Sequence, residues 1–192
     1  MVHHSYIFLN QQLKDAHLVH LCNEAQRASQ TTAIFTRSVP ETHRVSRLLN
    51  ALNIGAISLH CDLSPAARAA SLDKLRRKEC RVIVTSDVAA AGPGLDPIPM
   101  VDRAINFSLV SWKMKPETYT QRIRNVKNHV GDSGLAITFI TQYDLDVYLR
   151  LEKALAVPVA QYAVDMDMAM VCRGQVEQAA REDPLLRDTA YT

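Results

Sequence analysis

Short apolar runs and longer amphipathic runs alternate along most of the chain. The apolar runs are rich in β-branched residues, whereas the amphipathic runs repeat apolar residues at helical spacing. The predicted strands are residues 5–9, 31–36, 55–60, 81–86, 101–107 and 135–140, and the predicted helices are residues 14–28, 38–52, 64–78, 115–124 and 141–155. This alternation is typical of βαβ units, so we expect an α/β fold with a parallel sheet and helices on both faces.

Three of the predicted helices start at a hydroxyl residue that is suited to cap them. Ser38 is followed three positions later by Glu41, the spacing of a capping box, and Ser64 is followed directly by proline. Thr141 is predicted to cap the helix that begins there, with Asp144 at the same spacing. A helix start also presents backbone N–H groups that can bind an anion.

The alternating pattern breaks at Val157–Pro158. We therefore divide the chain into an α/β domain, residues 1–158, and a helical extension with a tail, residues 159–192. Residues 164–183 are predicted to form a helix, and the segment after them is expected to fray. We expect the three methionines of this helix to pack it against the domain; they are Met166, Met168 and Met170.

Composition narrows the class of protein. Hydrophobic residues make up 47% of the 192 residues and charged residues 22%, which is typical of a folded domain. The net charge of +2 is too small to indicate nucleic-acid binding by itself. The apolar runs are too short to span a membrane. The start MVHHSYIFL lacks the pattern of a secretory signal and suggests a chain cut from a longer one.

Cysteine and histidine positions give no support for a metal site. Four cysteines, Cys22, Cys61, Cys80 and Cys172, form no CxxC pair, which fits free thiols in a reducing, intracellular compartment. His17 and His20 are expected on the helix surface because no third ligand is evident. His60 follows an apolar strand and is expected to be a packed, hydrogen-bonded core residue.

Positive charge is concentrated in one stretch. Residues 111–130 contain five Lys or Arg and one Glu, a local charge of 5 − 1 = +4. Arg122, Arg124 and Lys127 lie here, just before an apolar strand, and either contact phosphate or form a solvated helix end near the negative helix dipole.

Ligands of open parallel sheets bind beyond the carboxyl ends of the strands, where this chain places hydroxyls, helix starts and a Gly-rich loop. No GxxxxGK[ST] loop is present, so this chain alone should not hydrolyse a nucleoside triphosphate.

Seven short motifs follow one another in an order that resembles a known family. They are YIFLNQQLKDAHLVHL, AIFTRS, ISLHCDLSPAARAASLDKL, RVIVTSDVAAAGPGLD, VDRAINF, YTQRIRNVKNHVGDSG and LAITFITQYDLD. Over about residues 4–157 they resemble the C-terminal RecA-like domain of DEAD-box ATP-dependent RNA helicases. The closing AITFITQYDLDVYLRLEKAL is most similar to the nucleolar members that process ribosomal RNA. The resemblance implies a RecA-like fold for residues 1–158.

The resemblance implies a set of residues near the RNA backbone. Thr36 and Ser38 belong to the family's fourth motif, at a helix start. Arg68 occupies the arginine of the QxxR element, whose glutamine position is Pro65 here. Thr85 and Ser86 fall in the fifth motif, ATDVAxRGLD in its usual form, where Ser86 keeps a hydroxyl for a phosphate.

On the nucleotide side, the same resemblance implies departures that put catalysis in doubt. Asp96 matches the aspartate near the ATP ribose, but Ala91 replaces an arginine. The sixth motif, usually HRIGRxxR, reads QRIRNVKN, so Arg122 is kept and Arg124 replaces a glycine. Asn125 and Asn128 stand where two arginines would contact the γ-phosphate. An arginine finger is worth about 10³–10⁵ in phosphoryl-transfer rate, and asparagine cannot replace its charge. Arg122 and Arg124 remain as catalytic candidates, and a shifted register would let Arg124 or Lys127 take the lost role.

Two functions follow from these observations. The first is the C-terminal domain of a DEAD-box RNA helicase, which binds RNA backbone and closes on an N-terminal RecA-like domain around ATP and Mg²⁺. The second is a catalytically inactive module that serves as an RNA- or protein-binding platform. ATP and Mg²⁺ are expected only with the partner domain, no membrane is involved, and the resemblance suggests the nucleus or nucleolus.

Overall fold

The computed structural model describes residues 2–87, 97–109, 116–126, 134–155 and 159–187. Seven strands form one parallel sheet in the order β3-β4-β2-β5-β6-β1-β7. The strands are β1 Val2–Phe8, β2 Thr32–Thr36, β3 Ala56–Leu59, β4 Val82–Ser86, β5 Arg103–Asn106, β6 Gly134–Ile140 and β7 Ala160–Gln161. The helices are α1 Lys14–Arg27, α2 Val39–Ala51, α3 Pro65–Arg76, α4 Pro116–Ile123, α5 Leu145–Leu155 and α6 Met166–Glu182, with 3₁₀ turns at Gln11–Leu13 and Pro184–Leu186.

Helices cover both faces of the sheet, as the pattern predicts. On one face, side chains from α1, α2 and α6 pack on the strands, with Leu21, Leu49 and Cys172 among them. On the other face, α3, α4 and α5 pack, with Leu72 and Leu151 in the core. Because both faces are buried, the central strands are apolar on both sides rather than alternating. The α/β class and the parallel sheet are confirmed.

The predicted helix starts are confirmed at two of three positions. Ser38 and Ser64 are the N-caps of α2 and α3, and each accepts a hydrogen bond from a backbone N–H of the first turn. The third start is wrong, because α5 begins at Leu145 rather than at Thr141. The Thr141 hydroxyl instead donates to the Asp144 carboxylate at 2.6 Å, which closes a separate turn before the helix.

The extension contains the predicted helix, but two expectations about it are wrong. Met166, Met168 and Met170 are exposed, and α6 instead buries Ala169, Cys172 and Ala179 along α1 and the neighbouring core. The expectation of fraying is wrong for Pro184–Leu186, a 3₁₀ turn whose Leu186 is buried against Leu48 and Ala179, while residues 188–192 lie outside the described residues. Strand β7 was not predicted. The domain boundary at residue 158 stays a prediction.

The expected exposure of His17 and His20 is also wrong. Both side chains are buried, since α1 lies between the sheet and other packed segments. His17 Nδ1 lies 2.8 Å from the Leu13 carbonyl, and burial lowers the pKa of His20. Among the described residues, no helix is both long enough and apolar enough to cross a membrane.

Candidate functional site

Polar residues of four neighbouring strands meet at the carboxyl edge of the sheet. Thr36 is in register with Ser86, Phe35 with Asn106, and Asn106 with Thr138. The Asn106 side chain donates to the Thr138 hydroxyl at 3.1 Å. Because the strands are parallel, the loops that follow them all leave from this edge, which is where ligands bind in open α/β sheets.

The loop between β2 and α2 brings the predicted Ser38 to a helix start. The Ser38 hydroxyl accepts the Glu41 N–H at 3.4 Å, and the Glu41 carboxylate accepts the Arg37 N–H at 2.8 Å. The Ser38 bond is the N-cap that the sequence predicts, whereas Glu41 accepts the N–H of Arg37, one residue before the N-cap, rather than the Ser38 N–H of a standard capping box. The Arg37 side chain is partly exposed, with Nε 3.5 Å from Glu41 Oε1. Ser38 and Arg37 therefore combine a positive helix dipole, a hydroxyl and a guanidinium in one loop.

The other hydroxyls predicted near RNA are buried in this conformation. Thr36 Oγ1 lies 2.7 Å from Thr42 Oγ1 and donates to the Thr85 carbonyl at 3.1 Å. The Thr85 hydroxyl donates to the Ser86 carbonyl at 3.2 Å, and Ser86 itself is buried. These bonds join the ends of β2 and β4, so Thr36 and Thr85 shape the edge from inside while Ser38 lies at its surface.

Arg68 and His60 lie on the β3 side of the same edge. Arg68 is 6% exposed and stands one turn after the Ser64 cap, so only a small part of its surface faces solvent. The His60 ring packs against His43 with centroids 4.3 Å apart. Within the described parts of the chain, its buried Nδ1 has no hydrogen-bond partner, and it lies 3.8 Å from the Asp62 carboxylate. The expected packing of His60 is confirmed, and the expected hydrogen bond of its ring is absent at Nδ1.

Arg122 is the most extensively bonded side chain of the described edge. Its guanidinium makes four hydrogen bonds, two to the Asp87 carboxylate, one to Asn106 Oδ1 and one to the Ser108 carbonyl. The guanidinium carbon also lies 5.4 Å from the centroid of the Phe35 ring. The Arg122 side chain is 1% exposed. Arg122 thus clamps the ends of β4 and β5 together from α4, and in this conformation its charge is directed at Asp87.

A buried polar cluster that the sequence pattern does not predict lies beside this clamp. Lys14 Nζ donates to Ser108 Oγ at 2.9 Å, and Ser108 Oγ donates to Glu41 Oε1 at 3.0 Å. Lys14, Glu41 and Ser108 are all buried, and the ammonium also lies 4.2 Å from the centroid of the Phe107 ring. The one available signal was a lysine at the start of an apolar helix, which is indistinguishable from a solvated lysine without the fold.

The remaining positions of the sixth motif differ in their surroundings. The Asn125 side chain donates to the Ile98 carbonyl at 2.7 Å, so its amide is used inside the fold. Arg124 is exposed on the turn after α4. Four positions of the fifth and sixth motifs lie outside the described residues: Ala91, Asp96, Lys127 and Asn128. In the described part of the chain, no group of three or more His, Cys, Asp or Glu is placed to hold a metal.

Comparison with known proteins decides the family. Residues 13–126, more than half of the chain, match the family described as the helicase conserved C-terminal domain. The chain belongs to this family. The matched segment runs from the start of α1 to the residue that bridges to Val101 after α4, so this helicase domain contains the Ser38 loop and the Arg122 clamp.

Within this family, the chain is similar to ATP-dependent rRNA helicases of fungi. It is 43% identical over 178 residues to the ATP-dependent rRNA helicase rrp3 of Aspergillus fumigatus, covering 93% of this chain and 36% of that protein. It is 44% identical over 177 residues to rrp-3 of Neurospora crassa, covering 92% and 33%. The chain therefore spans about a third of the length of these relatives.

A solved structure confirms the RecA-like fold. The C-terminal domain of the DEAD-box protein Dbp5 superposes with a TM-score of 0.74 at 21% identity, covering 90% of this chain and 97% of that one. Both the resemblance drawn from the motifs and the fold class inferred from it are confirmed. At this identity the likeness shows the fold alone.

Proposed function

We propose that this helicase domain is the C-terminal RecA-like domain of a DEAD-box ATP-dependent rRNA helicase and that it binds RNA through the backbone. The observation that carries the proposal is the Ser38 loop: a capped helix start with a partly exposed arginine, directly after a central strand. A helix start of this kind suits a phosphate and reads no base sequence. The 43% identity to an rRNA helicase supports RNA as the ligand.

The proposed RNA-side residues are those that the resemblance implies: Thr36, Ser38, Arg68, Thr85 and Ser86. Their positions suggest different parts. Ser38 is placed to meet a phosphate directly, whereas Thr36 and Thr85 support the loop from below through their buried hydrogen bonds. Arg68 offers a phosphate only the small exposed part of its side chain.

RNA binding is tested with the 192-residue chain and a single-stranded oligouridylate. The affinity should fall steeply between about 50 and 200 mM salt, because phosphate contacts release counterions. Arg68→Ala should lower the affinity and reduce the salt slope by about 0.7, the value for one phosphate contact on a single strand. Arg76→Ala, an exposed arginine of the same helix that pairs with Asp73, is the matched control and should change neither. An Arg68→Ala variant with unchanged affinity and slope would remove Arg68 from the RNA site.

We further propose that ATP and Mg²⁺ bind only between this domain and an N-terminal RecA-like domain, with Asp96 and Arg122 on the nucleotide side. For Arg122 the proposed part is to hold Asp87 and the end of β5 in place. The similarity to rRNA helicases supports a nuclear or nucleolar location for the whole protein.

A second candidate function is an RNA-binding platform without ATP turnover. It is favoured by Asn125, whose amide is bonded to the Ile98 carbonyl and carries no charge for a γ-phosphate. The test is RNA-stimulated ATP hydrolysis by the chain joined to its N-terminal neighbour domain. The platform predicts that RNA does not stimulate ATP hydrolysis by the unchanged protein. The double variant Asn125→Arg with Asn128→Arg should then hydrolyse ATP at least about tenfold faster than the unchanged protein. Turnover of the unchanged protein within about tenfold of active helicases would exclude the platform.

A further inference from the structure

One residue belongs to both polar clusters of the carboxyl edge. The Ser108 hydroxyl bonds to Lys14 and Glu41, and the Ser108 carbonyl accepts the Arg122 Nη1–H at 2.9 Å. Its own N–H donates to the Phe35 carbonyl at 3.2 Å, so its backbone is attached to β2 as well. Ser108 therefore connects two regions: it contacts the Ser38 loop through Glu41 and the Arg122 clamp through Arg122 itself.

The path between these two regions is continuous, buried along its middle and partly exposed at its two ends, Arg37 and Asp87. It runs from the Arg37 N–H to Glu41 at 2.8 Å, from Glu41 to the Ser108 hydroxyl at 3.0 Å, and from the Ser108 carbonyl to Arg122 at 2.9 Å. The Arg122 guanidinium then donates to Asp87. Inside a protein, where the dielectric constant is low, such bonds are strong and costly to break. When one of these groups moves, its hydrogen-bonded neighbours should therefore move with it, because the alternative is a broken buried bond.

The chemistry of serine makes this bridge short. A single rotatable bond, Cα–Cβ, separates the Ser108 hydroxyl from its backbone. A shift of Glu41 therefore either breaks its 3.0 Å hydrogen bond with this hydroxyl or moves the Ser108 peptide. The opposite charges of Lys14 and Glu41 hold the hydroxyl from two sides, which fixes its position. The peptide carbonyl that Arg122 contacts moves with it.

We propose that Ser108 is a positioning residue that couples the Ser38 loop to Arg122, so that occupation of the loop by a phosphate changes the hold of Arg122 on Asp87. This inference rests on the proposed function for its purpose, since the loop is the proposed RNA contact. The coupling itself is a property of the chain without ligands, and it is tested in that state.

The test is a double-mutant cycle of Glu41→Gln and Ser108→Ala in the 192-residue chain. The readout is the hydrogen-exchange rate of the Arg122 Nε–H, measured by NMR without RNA or nucleotide. Coupling between contacting residues predicts that Glu41→Gln speeds this exchange by about threefold or more, and that the same change has little effect in the Ser108→Ala background. Ser108→Thr keeps the hydroxyl and should keep the response.

An internal control separates coupling from general destabilisation. Arg103 lies at the start of β5, the strand that precedes Ser108, and its Nε donates to Gln30 at the opposite edge of the sheet. Its exchange should not change with Glu41→Gln. The proposal is overturned if Arg122 does not respond, if Arg103 responds in parallel, or if the response survives Ser108→Ala. Should Ser108→Ala fail to fold, the comparison of Arg122 with Arg103 in Glu41→Gln decides by itself.

A last measurement tests whether RNA binding acts through this coupling. Addition of oligouridylate should shift the Arg122 Nε–H resonance in the unchanged chain and leave it in place in Ser108→Ala. Ser46 is another buried serine, and its hydroxyl donates within α2 to the His43 carbonyl, so Ser46→Ala should behave like the unchanged chain. A chain that binds no RNA overturns the proposed function, whereas the ligand-free cycle still tests the coupling.

Discussion

The Arg122 clamp makes a quantitative prediction about stability. In Arg122→Met the guanidinium is lost while a side chain of similar length still fills the space. Removal of one partner of a buried ion pair costs about 3–5 kcal/mol. The Asp87 side chain is 23% exposed and regains some hydration, which favours the lower end. The Asn106 and Ser108 oxygens also lose a donor, at about 1 kcal/mol or more each. The ion pair at about 3 kcal/mol and the two oxygens at about 1 kcal/mol each give an expected loss of about 5 kcal/mol in the free energy of unfolding.

The assay is urea unfolding followed by far-UV circular dichroism, with linear extrapolation to water. Arg122→Lys keeps the charge but not the two parallel bonds to Asp87, so it should recover only part of the loss. Arg124→Met, on the exposed turn two residues later, is the matched control and should stay within about 0.5 kcal/mol of the unchanged chain. A loss below about 1 kcal/mol for Arg122→Met would refute the structural reasoning and favour a purely ligand-directed arginine.

Two further predictions concern ionisable groups. Burial, with a smaller contribution from His43, lowers the pKa of His60 below its ordinary 6.5; the unfolded chain then binds the proton first, so this contribution to stability is present above pH 6.5 and is lost as the pH falls. His60→Gln should flatten the fall in Tm between about pH 7.5 and 5.5, and an unchanged slope would contradict the packed, neutral ring. Burial raises the pKa of the Cys22 thiol to about 12, so iodoacetamide should modify exposed Cys61 in the native chain and Cys22 only after denaturation, as mass spectrometry would show. Rapid native labelling of Cys22 would show that α1 opens, and Cys61→Ser identifies the fast site.

The elements that the sequence predicted well are those whose signal is local. Ser38 and Ser64 cap their helices because a side-chain oxygen and the first-turn N–H groups are only three residues apart. Buried strands such as β2 and β4 are apolar on both faces, so their composition alone distinguishes them. The start of α5 was misplaced because Thr141 and Asp144 have the spacing of a cap and form a separate turn instead.

Burial of polar residues depended on contacts that are distant in sequence. His17 and His20 lie inside because α1 is covered by neighbouring segments of the fold, whereas the methionines of α6 lie outside because that helix buries only a narrow stripe of small residues. Helical spacing shows that residues share a face, but it does not show which faces become covered.

The order of the motifs by itself determined the fold and the family. Each motif is a local pattern, and the order of the seven motifs stays recognisable when residues within them are substituted. The use of Arg122 was decided only by the tertiary structure. Its partners Asp87, Asn106 and Ser108 come from two other strand ends, and only the parallel register brings them to one guanidinium. The same holds for Lys14 and Glu41, which are far apart in the chain and meet on one hydroxyl because α1 and α2 pack on the same face of the sheet.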